Sequence, residues 1–215
     1  MTEVIGFDGT TASGKTTLCS LLKDELEALD LKVAYVKEIN NLRGTIKSYG
    51  EGTNMFLSKI DPIASSLIWV ANAYDKMGAI PDMVDSGDFD YIFLDRTILT
   101  PIVYETLILA SKGLNPELKN SIDYVKKPFG LDLHEIKHYF VLYCTPEESN
   151  KRLFIREQIK MTEDEIWITE KAIENFLKLG DYFNIDYIDT TDKNPEAVLS
   201  EVLSILGADK KWKKK

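Results

Sequence analysis

The feature that most constrains this chain is a loop with a glycine at each end, placed between an apolar segment and an amphipathic one. Residues 3–8 are largely apolar and predict a short strand, and residues 17–29 predict a helix. A strand, such a loop and a helix, in this order, form the context of a phosphate-binding P-loop. The residues of the loop and of the first helical turn are Gly9, Thr10, Thr11, Ala12, Ser13, Gly14, Lys15, Thr16 and Thr17.

The residue types in this loop suit the binding of ATP with magnesium. Glycines let the backbone approach a ligand closely, and the loop N–H groups and the positive end of the helix dipole attract phosphate. Lys15 would reach the terminal phosphates, and the Thr16 hydroxyl would ligate Mg²⁺. The alternative is an ordinary turn capped by Ser13 with Lys15 in solvent, but a chance match is on the order of one in a hundred.

The rest of the chain alternates strand and helix patterns. Further strands are predicted at residues 32–38, 91–94, 139–144 and 185–189, and helix starts at Asp61, Thr145, Thr162 and before Pro195. Such alternation predicts a three-layer α/β/α fold with a five-stranded parallel sheet. We expect one domain over residues 1–207 with a small helical lid at about 150–163, followed by a basic, disordered tail at 208–215.

Composition limits the classes of partner. The chain has 215 residues and a formal net charge of −9, which disfavours binding to a long nucleic acid but permits a nucleotide in a local site. No run reaches the ~18 apolar residues of a membrane span. The two cysteines, Cys19 and Cys144, are no disulfide framework, and we expect buried thiols in a cytoplasmic protein.

Several polar residues directly follow predicted strands, and ligands of parallel sheets bind beyond the carboxyl ends of the strands. Besides the P-loop, these residues are Glu38, Asp95, Arg96 and Thr145. Thr16 and one carboxylate, from Asp95 or Asp8, are the candidates for holding magnesium. The alternative for Asp95 is a helix N-cap.

These motifs resemble those of the thymidylate kinases, over nearly the whole chain. The matching residues are Phe7-Asp8-Gly9 and Gly14-Lys15-Thr16-Thr17, Lys37-Glu38 after the second strand, Asp75-Lys76 in a long helix, Asp95-Arg96, Thr100, Tyr104-Glu105, Pro146-Glu147 with Arg152 and Arg156, Ile188-Asp189 and Pro195-Glu196. The resemblance implies a P-loop kinase that transfers a phosphoryl group from ATP, with Mg²⁺, to a nucleoside monophosphate, thymidylate by preference. It also implies a homodimer packed through the long helices.

The resemblance assigns roles to the acceptor side of the site. Asp95 would serve the metal or the acceptor phosphate, and Arg96 would hold that phosphate. Lys37 and Lys76 would take the places of arginines that bind the monophosphate nucleotide, and Tyr104 would face its base or sugar.

A cation for the transition state is expected from the lid, because residues 10–13 of the P-loop contain no arginine. Arg152 and Arg156 lie four residues apart and therefore on one helix face. Such a cation can contribute roughly 10³–10⁵ in rate. The alternative is that both arginines are surface charges that pair with Glu148 or Glu163.

Departures from the thymidylate kinase pattern leave the acceptor open. Lys37, Lys76, Thr97 and Glu105 all differ from it, and lysine does not reproduce the bidentate grip of arginine. Deoxynucleoside kinases place a general base where Glu38 stands, which would suit a sugar hydroxyl as acceptor. A nucleotide-binding switch without an acceptor is the third reading.

Overall fold

Five parallel strands form the centre of the computed structural model, which describes residues 2–37, 62–111, 113, 117–126 and 136–207. All adjacent strands pair in parallel, in the order β2-β3-β1-β4-β5. The predicted parallel sheet is therefore confirmed. The strands are β1 (Glu3–Gly9), β2 (Val33–Val36), β3 (Tyr91–Asp95), β4 (Ile136–Tyr143) and β5 (Ile185–Asp189).

Helices connect the strands, and their starts follow the capping signals of the sequence. The Thr145 hydroxyl accepts from the Glu148 N–H, and Thr162 with Glu165 forms a capping box. Asp61 lies outside the described residues, as does the segment 208–215. The helices are α1 (Lys15–Glu27), α2 (Pro62–Asp85), α3 (Leu99–Ser111), α4 (Leu118–Lys126), α5 (Pro146–Glu157), α6 (Glu163–Lys178) and α7 (Pro195–Ile205).

Two apolar cores lie on opposite faces of the sheet. Ile92 and Leu94 of β3 belong to one core, with residues of α2, α3 and α6, and the neighbouring Phe93 belongs to the other, with residues of α1 and α7. This division follows from the alternation of side chains along a strand. Phe7 packs edge-on against Phe93 at 5.6 Å between ring centroids. The three-layer α/β/α arrangement is confirmed.

The strand register brings the polar strand ends to one edge of the sheet. Phe7 of β1 lies opposite Asp95 of β3, and Asp8 lies opposite Val141 of β4. The backbone turns at once after β3, where the Arg96 N–H donates to the Phe7 carbonyl at 2.8 Å. The P-loop and the end of β3 are thus neighbours. Within the described ranges, the helices are too short or too polar to cross a bilayer.

Candidate active site

The P-loop follows β1 in a conformation that requires glycine at its first position. Gly9 has a φ of 133°, and a Cβ atom there would lie 1.8 Å from the Leu142 carbonyl oxygen of β4. Gly14 ends the loop at a φ of 92° as the N-cap of α1. Both values lie in the region that favours glycine. The glycines of the motif are therefore explained by backbone geometry.

Side chains from outside the loop hold most of its carbonyl groups. Ser149 of α5 donates to the Thr11 carbonyl at 2.7 Å, and Thr190 after β5 donates to the Ser13 carbonyl at 3.1 Å. The N–H of a trans peptide points away from its own carbonyl. A carbonyl held by a side chain outside the loop therefore directs the N–H of the same peptide away from that side chain, which suits a phosphate bound within the loop.

Lys15 is buried against the loop that it follows. Its ammonium group donates to the Thr10 carbonyl at 2.6 Å and to the Gly9 carbonyl at 3.2 Å, and only 7% of the residue is exposed. The charge is therefore held inside the P-loop. Thr16 and Thr17 are exposed in the first turn of α1.

Asp95, at the end of β3, faces this helix start. Its Oδ2 accepts from the Thr16 hydroxyl at 3.1 Å and from the Tyr35 hydroxyl at 2.8 Å. Its Oδ1 is buried and has no hydrogen-bond partner among the described residues. Magnesium prefers one or two carboxylates together with hydroxyl, water and phosphate oxygens. Thr16 and Asp95 fit that set.

Asp8 is the carboxylate that the sequence analysis left as the alternative metal ligand, and the structure uses it differently. It is fully buried, and its two oxygens accept four hydrogen bonds at 2.6–3.1 Å, from the backbone N–H and the hydroxyl of both Thr97 and Thr100. Asp8 therefore anchors the start of α3 to β1. Of the two candidates, Asp95 is the one that contacts Thr16 and has an oxygen without a hydrogen-bond partner among the described residues.

Arg96 occupies a backbone conformation that is rare for its residue type, with a φ of 63°. Its guanidinium donates to the Gly9 carbonyl at 3.3 Å and therefore lies beside the P-loop. Lys76 of α2 donates to the carbonyl groups of both Asp95 and Arg96 at 2.8 Å. Because Lys76 is only 2% exposed, its ammonium group supports this turn from inside the protein.

Of the remaining predicted acceptor residues, the structure describes Lys37 and Tyr104. Lys37 is exposed directly after β2. Tyr104 of α3 is half-buried against the core that α2 and α3 share. Glu38 lies outside the described residues. The structure brings Asp95, Arg96 and Thr16 together at the P-loop, whereas Lys37 is exposed to solvent after β2.

The two arginines predicted for the lid, Arg152 and Arg156 of α5, have different surroundings. Arg152 donates to the Glu148 carboxylate at 2.9 Å, to the Thr190 hydroxyl at 3.0 Å and to the Ala12 carbonyl at 3.4 Å. It thus ties α5 to the P-loop and to the segment after β5. Arg156 is exposed and pairs with Glu157. Arg152 pairs with Glu148, as the alternative interpretation expected, yet it also reaches the P-loop.

Sequence reasoning missed three residues of the site, which are Tyr35, Ser149 and Thr190. The last two act on loop carbonyls from distant segments, and nothing local in the sequence marks them. Tyr35 is the one hydroxyl-bearing residue in the strand Val33–Val36, which is a weak signal. Burial first, and then the neighbouring Cys19 and Asp95, raise the pKa of Tyr35 above its usual value, so its phenol donates rather than ionises.

Both cysteines are buried and free, as predicted. Burial raises the pKa of the Cys19 thiol, and the nearby Asp95 carboxylate raises it further. Burial likewise raises the pKa of Cys144. Neither thiol is activated for nucleophilic attack.

Comparison with known proteins gives a consistent result. The chain is 26% identical over 211 residues to "Probable thymidylate kinase 1" of Saccharolobus solfataricus, covering 96% of this chain and 97% of that protein. It is 24% identical over 210 residues to "Probable thymidylate kinase" of Methanococcus vannielii, with 94% of each covered. No protein-family model matches the chain.

A solved structure shares the fold. Thymidylate kinase from Candida albicans superposes with a TM-score of 0.64 at 19% identity, over 98% of this chain and 93% of that one. The resemblance that the motifs indicated is therefore confirmed, along nearly the whole length of the chain and in its P-loop kinase fold.

Proposed function

We propose that this chain, a relative of the thymidylate kinases in sequence and fold, transfers the γ-phosphoryl group of ATP to a nucleoside monophosphate, with thymidylate preferred. The bond from the γ-phosphorus to its bridging oxygen breaks, and a bond to an oxygen of the acceptor phosphate forms. The products are ADP and a nucleoside diphosphate. The relatives are named for this activity, which supports the proposal.

One observation carries the proposal, which is the junction of the P-loop with the end of β3. The Thr16 hydroxyl lies 3.1 Å from the Asp95 carboxylate, and the Arg96 guanidinium contacts the Gly9 carbonyl of the same loop. A phosphate cradle, a metal-ligand pair and a cation therefore meet at one point. Phosphoryl transfer needs positioning and charge neutralisation, and this set can provide both.

Each residue of the set has a definite task in the proposed reaction. The P-loop N–H groups and Lys15 bind the donor phosphates, and Thr16 and Asp95 hold Mg²⁺. When bound, that ion neutralises phosphate charge. Arg96 holds the acceptor phosphate, while Lys37, Lys76 and Tyr104 are proposed on the acceptor side. Arg152 and Arg156 are the proposed lid cations.

Two alternatives differ in the acceptor. A deoxynucleoside kinase would use Glu38 as the base for a sugar hydroxyl, and a nucleotide-binding switch would need no acceptor at all. Arg96 beside the P-loop favours the monophosphate, because an anionic acceptor needs a cation more than it needs a base.

The test is phosphoryl transfer from ATP, with magnesium, to a panel of nucleoside monophosphates and nucleosides, with a control that lacks any acceptor. We expect the highest turnover with dTMP. Turnover confined to nucleosides would replace the proposal with the deoxynucleoside kinase, and ATP hydrolysis that is equal without acceptor would replace it with the switch. Assembly as a homodimer is proposed from the resemblance and is tested by sedimentation.

Two lysine variants connect the activity to the P-loop. Lys15→Ala should abolish transfer, because the proposed function has Lys15 bind the donor phosphates. The fold should stay intact, because the Lys15 ammonium group lies against the loop carbonyls rather than in an apolar core. Lys23→Ala is the matched control, since Lys23 lies on the same helix and pairs with Glu27 at the surface. Equal activity of the two variants would remove the P-loop from the mechanism.

A further inference from the structure

Tyr35 lies beside the proposed active site but has no role in the proposed reaction as described above. It lies on the edge strand β2, where it is opposite Phe93 of β3. Its ring packs partly buried against the core that contains Phe7 and Phe93. Its hydroxyl reaches past that core and donates to Oδ2 of Asp95 at 2.8 Å. Tyr35 thus joins the edge of the sheet to the proposed metal ligand.

The two oxygens of the Asp95 carboxylate differ in their hydrogen bonds. Oδ2 accepts from Tyr35 and from Thr16, whereas Oδ1 is buried without a partner among the described residues. The terminal torsion of an aspartate is soft, so hydrogen bonds decide the orientation of its carboxylate. An oxygen fixed by two hydroxyls leaves the other in one defined place.

Thr16 alone would orient the carboxylate poorly in the working site. Its hydroxyl is assigned to the magnesium ion, so it has two tasks and is 3.1 Å from Oδ2. The Tyr35 hydroxyl makes the shorter contact and is held by a packed ring on a strand. A donor whose rotamer is locked by packing holds its partner more precisely than an exposed side chain does.

We propose that Tyr35 is a positioning residue, which holds Oδ2 of Asp95 and thereby fixes the orientation of the carboxylate that would ligate the magnesium ion. This inference rests on the proposed function. Partners of this kind, which orient a metal ligand, commonly change metal affinity or activity by roughly 10–100-fold when they are removed. The competing explanation is that Tyr35 only fastens β2 to the sheet, in which case its loss would change stability alone.

The experiment compares Tyr35→Phe with Tyr187→Phe. The first variant keeps the ring and removes the hydroxyl. The second removes a phenol of β5 that donates to the Phe176 carbonyl at 2.9 Å, a bond of similar length on another part of the sheet. ATP affinity is measured by calorimetry with magnesium and with EDTA, without any acceptor, together with the thermal midpoint of each variant.

In wild type, we expect magnesium to increase the affinity for ATP. Tyr35→Phe should lower the affinity for magnesium in the ternary complex by about 10-fold or more, while ATP affinity in EDTA stays within twofold. Tyr187→Phe should leave both affinities unchanged. An unaltered magnesium dependence in Tyr35→Phe, or equal thermal shifts as the only change in both variants, would overturn the proposal.

A double variant tests whether Tyr35 acts through Asp95. In the Asp95→Asn background, Tyr35→Phe should have no further effect on magnesium affinity, because the positioned ligand is already lost. Additive losses would contradict the proposal. These readouts need no acceptor: failure of the whole acceptor panel would refute the proposed function alone, while an ATP affinity of wild type that ignores magnesium would refute the role of Tyr35.

Discussion

Two carboxylates at the ends of neighbouring strands have opposite environments. Asp8 of β1 is fully buried and accepts four hydrogen bonds from Thr97 and Thr100. Asp95 of β3 accepts two on one oxygen, and its other oxygen has no partner among the described residues. They lie at the same edge of the sheet, one position apart in the register between β1 and β3.

Under the proposed function, this difference in hydrogen bonding separates a structural carboxylate, Asp8, from a metal-binding one, Asp95. A buried acceptor left without a partner costs stability, so folding alone favours the saturated arrangement of Asp8. The unpartnered oxygen of Asp95 lowers the stability of the fold, as is expected at a functional site where a ligand provides the missing partner. The number of hydrogen bonds on each oxygen, rather than the residue type, is therefore the observation on which we assign Asp95, and not Asp8, to the proposed reaction.

The sharpest test of this comparison is Asp95→Asn. The amide oxygen can still accept from Tyr35 and Thr16, but the negative charge on the unpartnered side is lost. We expect kcat for phosphoryl transfer to fall by about 10³-fold, or ~4 kcal/mol. The thermal midpoint should stay within about 3 °C. An active Asp95→Asn enzyme would place the metal ligand elsewhere.

The reciprocal variant is Asp8→Asn, which should damage the fold and spare the chemistry. The amide oxygen can take the place of Oδ1, which accepts three of the four hydrogen bonds, so the bond from the Thr97 hydroxyl to Oδ2 is lost and the other three lose their charged acceptor. A hydrogen bond to a charged group contributes roughly 1.5–3 kcal/mol. We expect a loss of about 3 kcal/mol in the free energy of unfolding, measured by urea denaturation.

The control for Asp8→Asn is the activity of its folded fraction. At a temperature well below the midpoint, kcat should lie within about threefold of wild type, because Asp8 touches α3 rather than the substrates. A stable but inactive Asp8→Asn protein would reverse the roles of the two carboxylates.

A structural feature can be predicted from the sequence when the residues that determine it are adjacent in the chain. The P-loop, the helix caps at Thr145 and Thr162 and the strand at 185–189 are encoded by adjacent residues, and the structure confirms them. The sequence analysis could not separate Asp8 from Asp95. Their environments depend on the start of α3 and on the edge strand β2, which come from other parts of the chain.

The interior position of Lys76 likewise depends on residues that are distant in the sequence. The resemblance places Lys76 where a residue binds the monophosphate, whereas the structure buries it with Ala73 and Ile80 on one face of α2. A lysine on such a face needs a partner in the interior, and periodicity alone could not identify it. The partners are the carbonyl groups of Asp95 and Arg96, which only the packing of α2 against β3 reveals.

Lys76→Met tests whether the backbone beneath Asp95 needs this support. The variant keeps the apolar stem and removes two charge-assisted hydrogen bonds to a turn in which Arg96 has a φ of 63°. We expect a loss of about 2 kcal/mol in the free energy of unfolding and a fall of about 10-fold in kcat. Unfolding and steady-state kinetics measure both.

Lys171→Met is the matched control for Lys76→Met, because Lys171 pairs with Glu174 on the exposed face of α6. Its stability and kcat should stay near wild type. If Lys76 instead binds the acceptor, as its place in the motif implies, the Lys76 variant would keep its stability and raise only the KM of the acceptor.

Glu105 of α3 provides the test with the smallest expected effect. It is a further buried carboxylate among the described residues, at 6% exposure, and therefore tests whether an unpartnered oxygen always marks a residue of the reaction. Its Oε2 lacks a partner among the described residues, as Oδ1 of Asp95 does. Burial raises the pKa of Glu105 above its ordinary value. The folded state therefore binds more protons than the unfolded state between the ordinary pKa and the raised one, and the stability contributed by Glu105 falls as pH rises through that interval.

Glu105→Gln removes the ionisation and nearly keeps the shape. We expect the variant to be about 1 kcal/mol more stable than wild type above the raised pKa, and this advantage should disappear toward the acidic side. Denaturation of both proteins across a pH series measures the difference, with kcat for dTMP followed in parallel. If kcat instead falls as it does in Asp95→Asn, an unpartnered oxygen marks the reaction at both positions, and the acceptor site must extend along α3 to Glu105.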